Sequence, residues 1–130
     1  PDCSAAAPSI GSLWPPNHQF VAVDVLGVTD PDGDPITITI SSIRQDEPTD
    51  TVGDGSFAPD GLGVGTATAE VRAERSGSRK VPGDGRVYQI GFTAEDGQGA
   101  ACTGVVLVGV PHSNNGDAAV DGGALYDSTT

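Results

Sequence analysis

The segment 30–35 (DPDGDP) runs directly into 36–40 (ITITI), and this junction constrains the fold more than any other part of the chain. Strict alternation of apolar and polar residues in the second segment predicts a half-buried β-strand. The turn before it carries carboxylates at every second position, so their oxygen atoms can converge on one hard cation. Ca²⁺ suits such a turn because it accepts about six to eight oxygen ligands in flexible geometry. The alternative is that Asp-Pro and Asp-Gly pairs simply form turns, with side chains bonded to their own backbone.

Similar strand patterns, separated by Gly, Pro and Asp, recur along the chain, and none shows helical periodicity with caps. We predict strands at 19–28, 35–44, 62–75, 86–95 and 100–110. In the second of these, Ile36, Ile38 and Ile40 are predicted to point inward. The chain is therefore predicted to be all-β and to form an immunoglobulin-like antiparallel β-sandwich.

The sandwich is predicted to occupy residues 19–111. An extended N-terminal arm, 1–18, precedes it, and the two prolines at 15–16 exclude a helix there. A polar C-terminal tail, 112–130, has no core of its own. We interpret this tail as a linker, a disordered end or a segment that lies on another molecule.

The formal net charge is −12, from 18 acidic and 6 basic residues. Such acidity argues against a nucleic-acid partner, which requires basic patches, and no apolar run predicts membrane insertion. No nucleophile elbow is present, and neither histidine lies beside a nucleophile motif. His18 and His112 are predicted to lie at opposite ends of the fold, which argues against a zinc site. The chain is therefore predicted not to be an enzyme.

The two cysteines, Cys3 and Cys102, are predicted to form one disulfide that closes nearly the whole domain. A loop of that length stabilises a fold by about 4–5 kcal/mol in the chain-entropy model. Free buried thiols are the alternative. A disulfide agrees with an extracellular or cell-surface location, because oxidising compartments preserve such bonds.

Two acidic clusters are candidate Ca²⁺ sites on this scaffold. The ligands predicted for the first, at the pole of the Asp-rich turn, are Asp30, Asp32, Asp34 and Asp84. The weaker second cluster, predicted at the opposite pole, consists of Asp46, Glu47 and Asp96.

The chain resembles the repeat-type immunoglobulin-like domains of large bacterial cell-surface and secreted proteins, related to cadherin-like and HYR-type modules. The residues that carry the resemblance are LWPPNHQFVAV (13–23), GVTDPDGDPITITI (27–40), QDEP (45–48), VRAERSG (71–77), GRVYQIGFTAEDGQGAACTG (85–104) and VGVPH (108–112). The resemblance implies an extracellular β-sandwich that is commonly non-enzymatic and often stabilised by ions. Such domains serve as spacer, adhesion or surface-layer material.

An extended segment at each end of the domain could be donated to the sheet edge of a neighbour, either 5–13 or 118–126. A head-to-tail contact of this kind does not close and builds filaments. The larger apolar residues of the tail are Val120, Leu125 and Tyr126. The acidic tail could also meet a basic patch formed by Arg72, Arg75, Arg79 and Lys80. The alternative is that these bases and the nearby Arg86 pair with the acids Glu70, Glu74 and Asp84.

The predicted function is an extracellular, non-catalytic structural or adhesion module. Its predicted partners are copies of itself, joined head-to-tail, or neighbouring surface-protein domains. The alternatives are a Ca²⁺-dependent carbohydrate- or protein-binding module and an inert spacer domain.

Overall fold

The computed structural model describes residues 1–47, 59–75, 85–111, 119 and 121–129. Within these ranges the chain contains no helix, and so none that could span a membrane. Its strands are β1 (Ala7–Pro8), β2 (Phe20–Leu26), β3 (Thr37–Gln45), β4 (Gly61–Leu62), β5 (Thr68–Arg72), β6 (Arg86–Glu95), β7 (Ala101–Val110) and β8 (Tyr126–Asp127). The prediction of an all-β chain is confirmed.

The strands form two antiparallel sheets, ordered β1-β2-β5-β4 and β7-β6-β3-β8. The core lies between them and is built from side chains of both sheets. Its aliphatic members include Val23, Ile40, Ile43, Ala69, Val71, Ile90, Val106 and Val108. Burial of apolar surface between facing sheets is the main force that holds such a sandwich together.

Strand β3 contains a register shift between Ile40 and Ser42. The predicted inward face holds as far as Ile40, which is fully buried. After the shift the buried positions are Ile43 and Gln45, because an extra residue in a bulge moves the following side chains to the other face. The bulge therefore brings a polar amide into the interior.

Strand β6 is paired on both sides, with β3 and with β7. One face contributes Tyr88, Ile90 and Phe92 to the core. On the other face Gln89 is also buried, and its Nε2 donates to Asp121 Oδ1 over 2.6 Å. Residues near the C-terminus thus cover the outer side of this central strand.

The N-terminal segment, residues 1–18, is part of the sandwich, although the sequence predicted an arm outside it. Cys3 and Cys102 form the predicted disulfide, with Cα atoms 6.0 Å apart. β1 pairs with β2, and further along the segment the Leu13 N–H donates to Gly109 O over 2.9 Å. Leu13 is buried in the core, so its apolar side chain anchors the segment between the two sheets.

Candidate functional site

The C-terminal segment, residues 121–129, extends the sheet that contains β3. Tyr126 and Asp127 pair with Gln45 and Arg44 as an added antiparallel strand. The Leu125 N–H donates to Gln45 O over 3.1 Å. The sequence predicted a tail, 112–130, that could lie on another molecule; in the structure its residues 121–129 lie on their own fold, where they cover the edge of β3.

Ser128 occupies a slot between the edges of the two sheets. Its N–H donates to Ile43 O over 2.9 Å, and its carbonyl accepts the N–H groups of Asp60 and Gly61, both over 2.8 Å. Ser128 is fully buried. A Cβ on Gly61 would lie 2.9 Å from Ser128 Cβ and 2.9 Å from Ile43 Cγ2. The missing side chain at Gly61 therefore makes room for the C-terminal segment.

Side chains of the sandwich hold the C-terminal segment by polar contacts. Arg44 Nε donates to Ala124 O over 3.2 Å, and Asp46 Oδ2 accepts the Gly122 N–H over 2.9 Å. The predicted assembly residues Leu125 and Tyr126 remain exposed, at 59% and 40%, and Val120 lies outside the described residues. The segment is thus bound through hydrogen bonds while its larger apolar side chains face solvent.

A second feature, absent from the sequence-based predictions, is a charged cluster in the interior around Arg86. This guanidinium has no exposed surface. It contacts Glu47 Oε1 at 3.1 Å, Asp60 Oδ2 at 2.9 Å and Glu74 Oε1 at 3.2 Å. Gln45 Nε2 also donates to Asp60 Oδ2, over 3.0 Å. Buried charges persist only when paired and hydrogen-bonded, and these are.

Arg72 and His18 extend the charged cluster towards the surface. Arg72 Nε lies 3.6 Å from Asp60 Oδ1, and its guanidinium stacks 4.2 Å from the centre of the Phe20 ring. His18 Nδ1 lies 2.8 Å from Glu74 Oε2. The predicted basic patch is therefore wrong for Arg72, which binds its own fold because strand β5 places it beside buried acids.

Of the other members of the predicted basic patch, Arg75 is partly buried, and Arg79 and Lys80 lie outside the described residues. The alternative that bases pair with nearby acids is realised by Arg86 and Glu74.

The carboxyl groups of Glu47, Asp60 and Glu74 converge on one buried guanidinium, so ionising all three in the interior is costly. Burial, reinforced by the neighbouring Asp60 carboxyl, raises the pKa of Glu74 to about 9. Burial alone would lower the pKa of Arg86, but Tyr88, Asp60 and Glu47 raise it above its ordinary value. At neutral pH Glu74 is therefore protonated beside a charged Arg86.

The Asp-rich turn forms a third feature. One carboxylate oxygen from each of Asp30, Asp34 and Asp96 lies within 4.8 Å of the others. Burial, followed by the charges of Asp30 and Asp96, raises the pKa of Asp34. Asp32 does not join this group, and Asp84 lies outside the described residues. Three oxygens are a partial ligand set for Ca²⁺, which takes more.

The same carboxylates also organise their own turns. Asp30 accepts the Asp32 and Asp34 N–H groups, each over 3.1 Å, and Asp96 accepts that of Gln98 over 2.7 Å. This bond from Gln98 lowers the pKa of Asp96. The turn-forming alternative therefore describes real contacts, and a cation would have to share oxygens already engaged with the backbone.

The predicted second acidic cluster does not assemble among the described residues. Asp96 follows the end of β6 and joins Asp30 and Asp34, whereas Glu47 pairs with Arg86 at the start of that strand. Asp46 accepts the Val87 N–H on Oδ1 over 2.9 Å. The grouping was wrong because the long strand β6 separates its two ends.

Comparisons of the chain with protein-family models, with curated proteins and with solved structures found no significant match.

Proposed function

We propose that this chain is a non-catalytic structural and adhesion module of the cell exterior, a filament or surface-assembly subunit joined head-to-tail through an extended terminal segment. The observation that carries the proposal is the way residues 121–129 bind an open sheet edge through main-chain hydrogen bonds. Extended segments that add a strand to a sheet edge are a general mode of protein association.

Two further observations support this class of function. The order β1-β2-β5-β4 facing β7-β6-β3 supports an immunoglobulin-like sandwich, in agreement with the sequence resemblance. The bond between Cys3 and Cys102 is of a kind that persists in oxidising surroundings.

The strongly perturbed groups, Glu74 and Arg86, are enclosed and paired with each other. This arrangement is typical of a structural ion-pair network, since perturbed pKa values occur in such networks as well as in active sites.

The test is the assembly state of the intact chain and of a chain lacking 113–130, by sedimentation and electron microscopy. We expect the intact protein to form oligomers or fibres that lengthen with concentration, and the shortened protein to stay monomeric and folded. A chain whose residues 121–130 are shuffled is the matched control and is expected to behave like the shortened one. An intact protein that is monomeric at every concentration contradicts the proposal and leaves the inert-spacer alternative.

A second candidate is a Ca²⁺-dependent module that binds carbohydrate or protein. The proximity of Asp30, Asp34 and Asp96 favours it, because a cation would relieve the repulsion that, together with the larger effect of burial, raises the pKa of Asp34. Calorimetric titration with Ca²⁺ is expected to show binding that Asp34→Asn abolishes and Asp32→Asn preserves. Absence of heat and an unchanged melting temperature with EDTA would remove this candidate, and a glycan array with and without Ca²⁺ tests the ligand.

A further inference from the structure

We propose that a second copy of this chain supplies the C-terminal segment: residues 121–129 of one molecule occupy the slot between β3 and β4 of the next. The inference rests on the proposed function and names the segment, its receptor and its partner. It also assigns the donor role to the C-terminal end alone.

The slot is specific for this segment. Ser128 fits it without exposed surface, and its main-chain groups bind Ile43, Asp60 and Gly61. Every one of these groups is identical in a second copy. The bonds made within one molecule can therefore be exchanged for the same bonds between two, and the concentration of chains decides which arrangement forms.

The position of the segment favours an open chain of molecules over a closed pair. β7 and β8 lie at opposite edges of one sheet, which is ordered β7-β6-β3-β8. β7 ends at Val110, Asp121 bonds to Gln89 on the outer face of the same sheet, and the receptor lies beyond β3. The connecting residues 112–120 can span up to about 30 Å when extended. Donor and receptor on opposite edges form a heterologous contact, which builds an open chain when the rotation between neighbours does not close a ring.

The N-terminal segment cannot take the donor role while its disulfide is intact. Cys3 is bonded to Cys102 of β7, so the start of the segment is covalently tied to the same molecule. Leu13 adds a buried apolar anchor at the other end. The C-terminal segment has no disulfide, because the chain has only these two cysteines.

Two variants separate the donor from the receptor. Gly61→Ala places a Cβ 2.9 Å from Ser128 Cβ and from Ile43 Cγ2, so it blocks the receptor and leaves the donor intact. Deletion of 121–130 removes the donor and leaves the receptor intact. Each variant alone is expected to be monomeric, whereas an equimolar mixture, refolded together at high concentration with the disulfide intact, is expected to give one-to-one heterodimers by size-exclusion chromatography and native mass spectrometry.

A labelled peptide of residues 119–130 gives a second measurement that does not depend on the folding of Gly61→Ala. We expect it to bind the protein lacking 121–130, and a peptide carrying Ser128→Phe to bind at least about tenfold more weakly because the slot is closed to large side chains. A mixture that remains two monomers, together with equal binding of both peptides, overturns the inference. Wild-type fibres that persist after deletion of 121–130 overturn it while leaving the proposed structural function in place, and a wild type that never associates contradicts both.

Discussion

The N-terminal and C-terminal segments close opposite edges of the same sandwich, and they are held by different forces. The N-terminal segment joins β2 and β7 and is fixed by a disulfide and by buried Leu13. The C-terminal segment joins β3 and β4 through hydrogen bonds, one of them from Asp60 of the charged cluster. Its Leu125 is exposed. Covalent and apolar anchors keep a segment on its own fold, whereas main-chain bonds can be remade with another copy.

Removal of the disulfide is expected to have the largest effect, because it takes away the covalent anchor that distinguishes the N-terminal segment from the C-terminal one. We expect Cys3→Ser with Cys102→Ser to lower the free energy of unfolding by about 4 kcal/mol, because the two cysteines are separated by 99 positions and their bond restricts the unfolded chain. Urea denaturation followed by the fluorescence of Trp14 measures the loss, and wild-type protein under reducing conditions is the control.

The same double variant is expected to make the N-terminal segment exchangeable. Oligomers should then survive deletion of 121–130, whereas in the disulfide-bonded protein this deletion is expected to abolish them. An unchanged free energy of unfolding would show that the N-terminal segment is held by its other contacts.

Truncation of one leucine in each segment gives the next largest difference. Leu13 is 2% exposed and Leu125 is 59% exposed. Leu13→Ala should cost about 2–4 kcal/mol, through lost burial and the cavity that remains. Leu125→Ala should change stability by less than about 0.5 kcal/mol, as exposed substitutions usually do. Parallel urea titrations measure both, and similar losses for the two variants would contradict the assignment of apolar anchoring to one segment alone.

The long strands could be predicted from the sequence because alternation is a strong local signal. β6 has the predicted bounds, and β7 begins one residue later than predicted. The disulfide also followed from composition. The strands β1, β4 and β8 have two residues each, which is too short for any periodicity, so the closure of both edges could not be predicted.

The charged cluster was missed for a different physical reason. Its members come from distant parts of the chain, and charged residues are seldom fully buried, so the acids and bases were assigned to the surface. One local signal was present: Arg86 opens a strand whose following inward positions are Tyr88 and Ile90. Alternation places Arg86 on that same inward face, but recognising the burial required knowledge of Glu74 and Asp60 beside it.

The smallest expected effect is the pH dependence of the free energy of unfolding that Glu74 causes. Its pKa is raised from 4.5 to about 9 in the folded protein, so the folded state holds a proton that the unfolded state releases in this range. The resulting stabilisation is complete below about pH 4.5 and is lost as the pH rises towards 9, with a slope of at most about 1.4 kcal/mol per pH unit. Glu74→Gln, which keeps a neutral side chain of similar size, should remove this slope. Glu70→Gln, at an exposed position of β5, is the matched control.

The two segments should feel this titration differently. Glu74 faces Asp60, whose N–H binds Ser128, whereas Leu13 bonds to Gly109. Raising the pH from about 5 to 8 should therefore reduce hydrogen-exchange protection of the Ser128 amide more than that of the Leu13 amide, after correction for the intrinsic exchange rate. In Glu74→Gln the two amides should respond alike. Equal responses in the wild type would mean that the charged cluster does not support the C-terminal segment. The segment would then be held only by the edge of β3 and by the slot at Gly61.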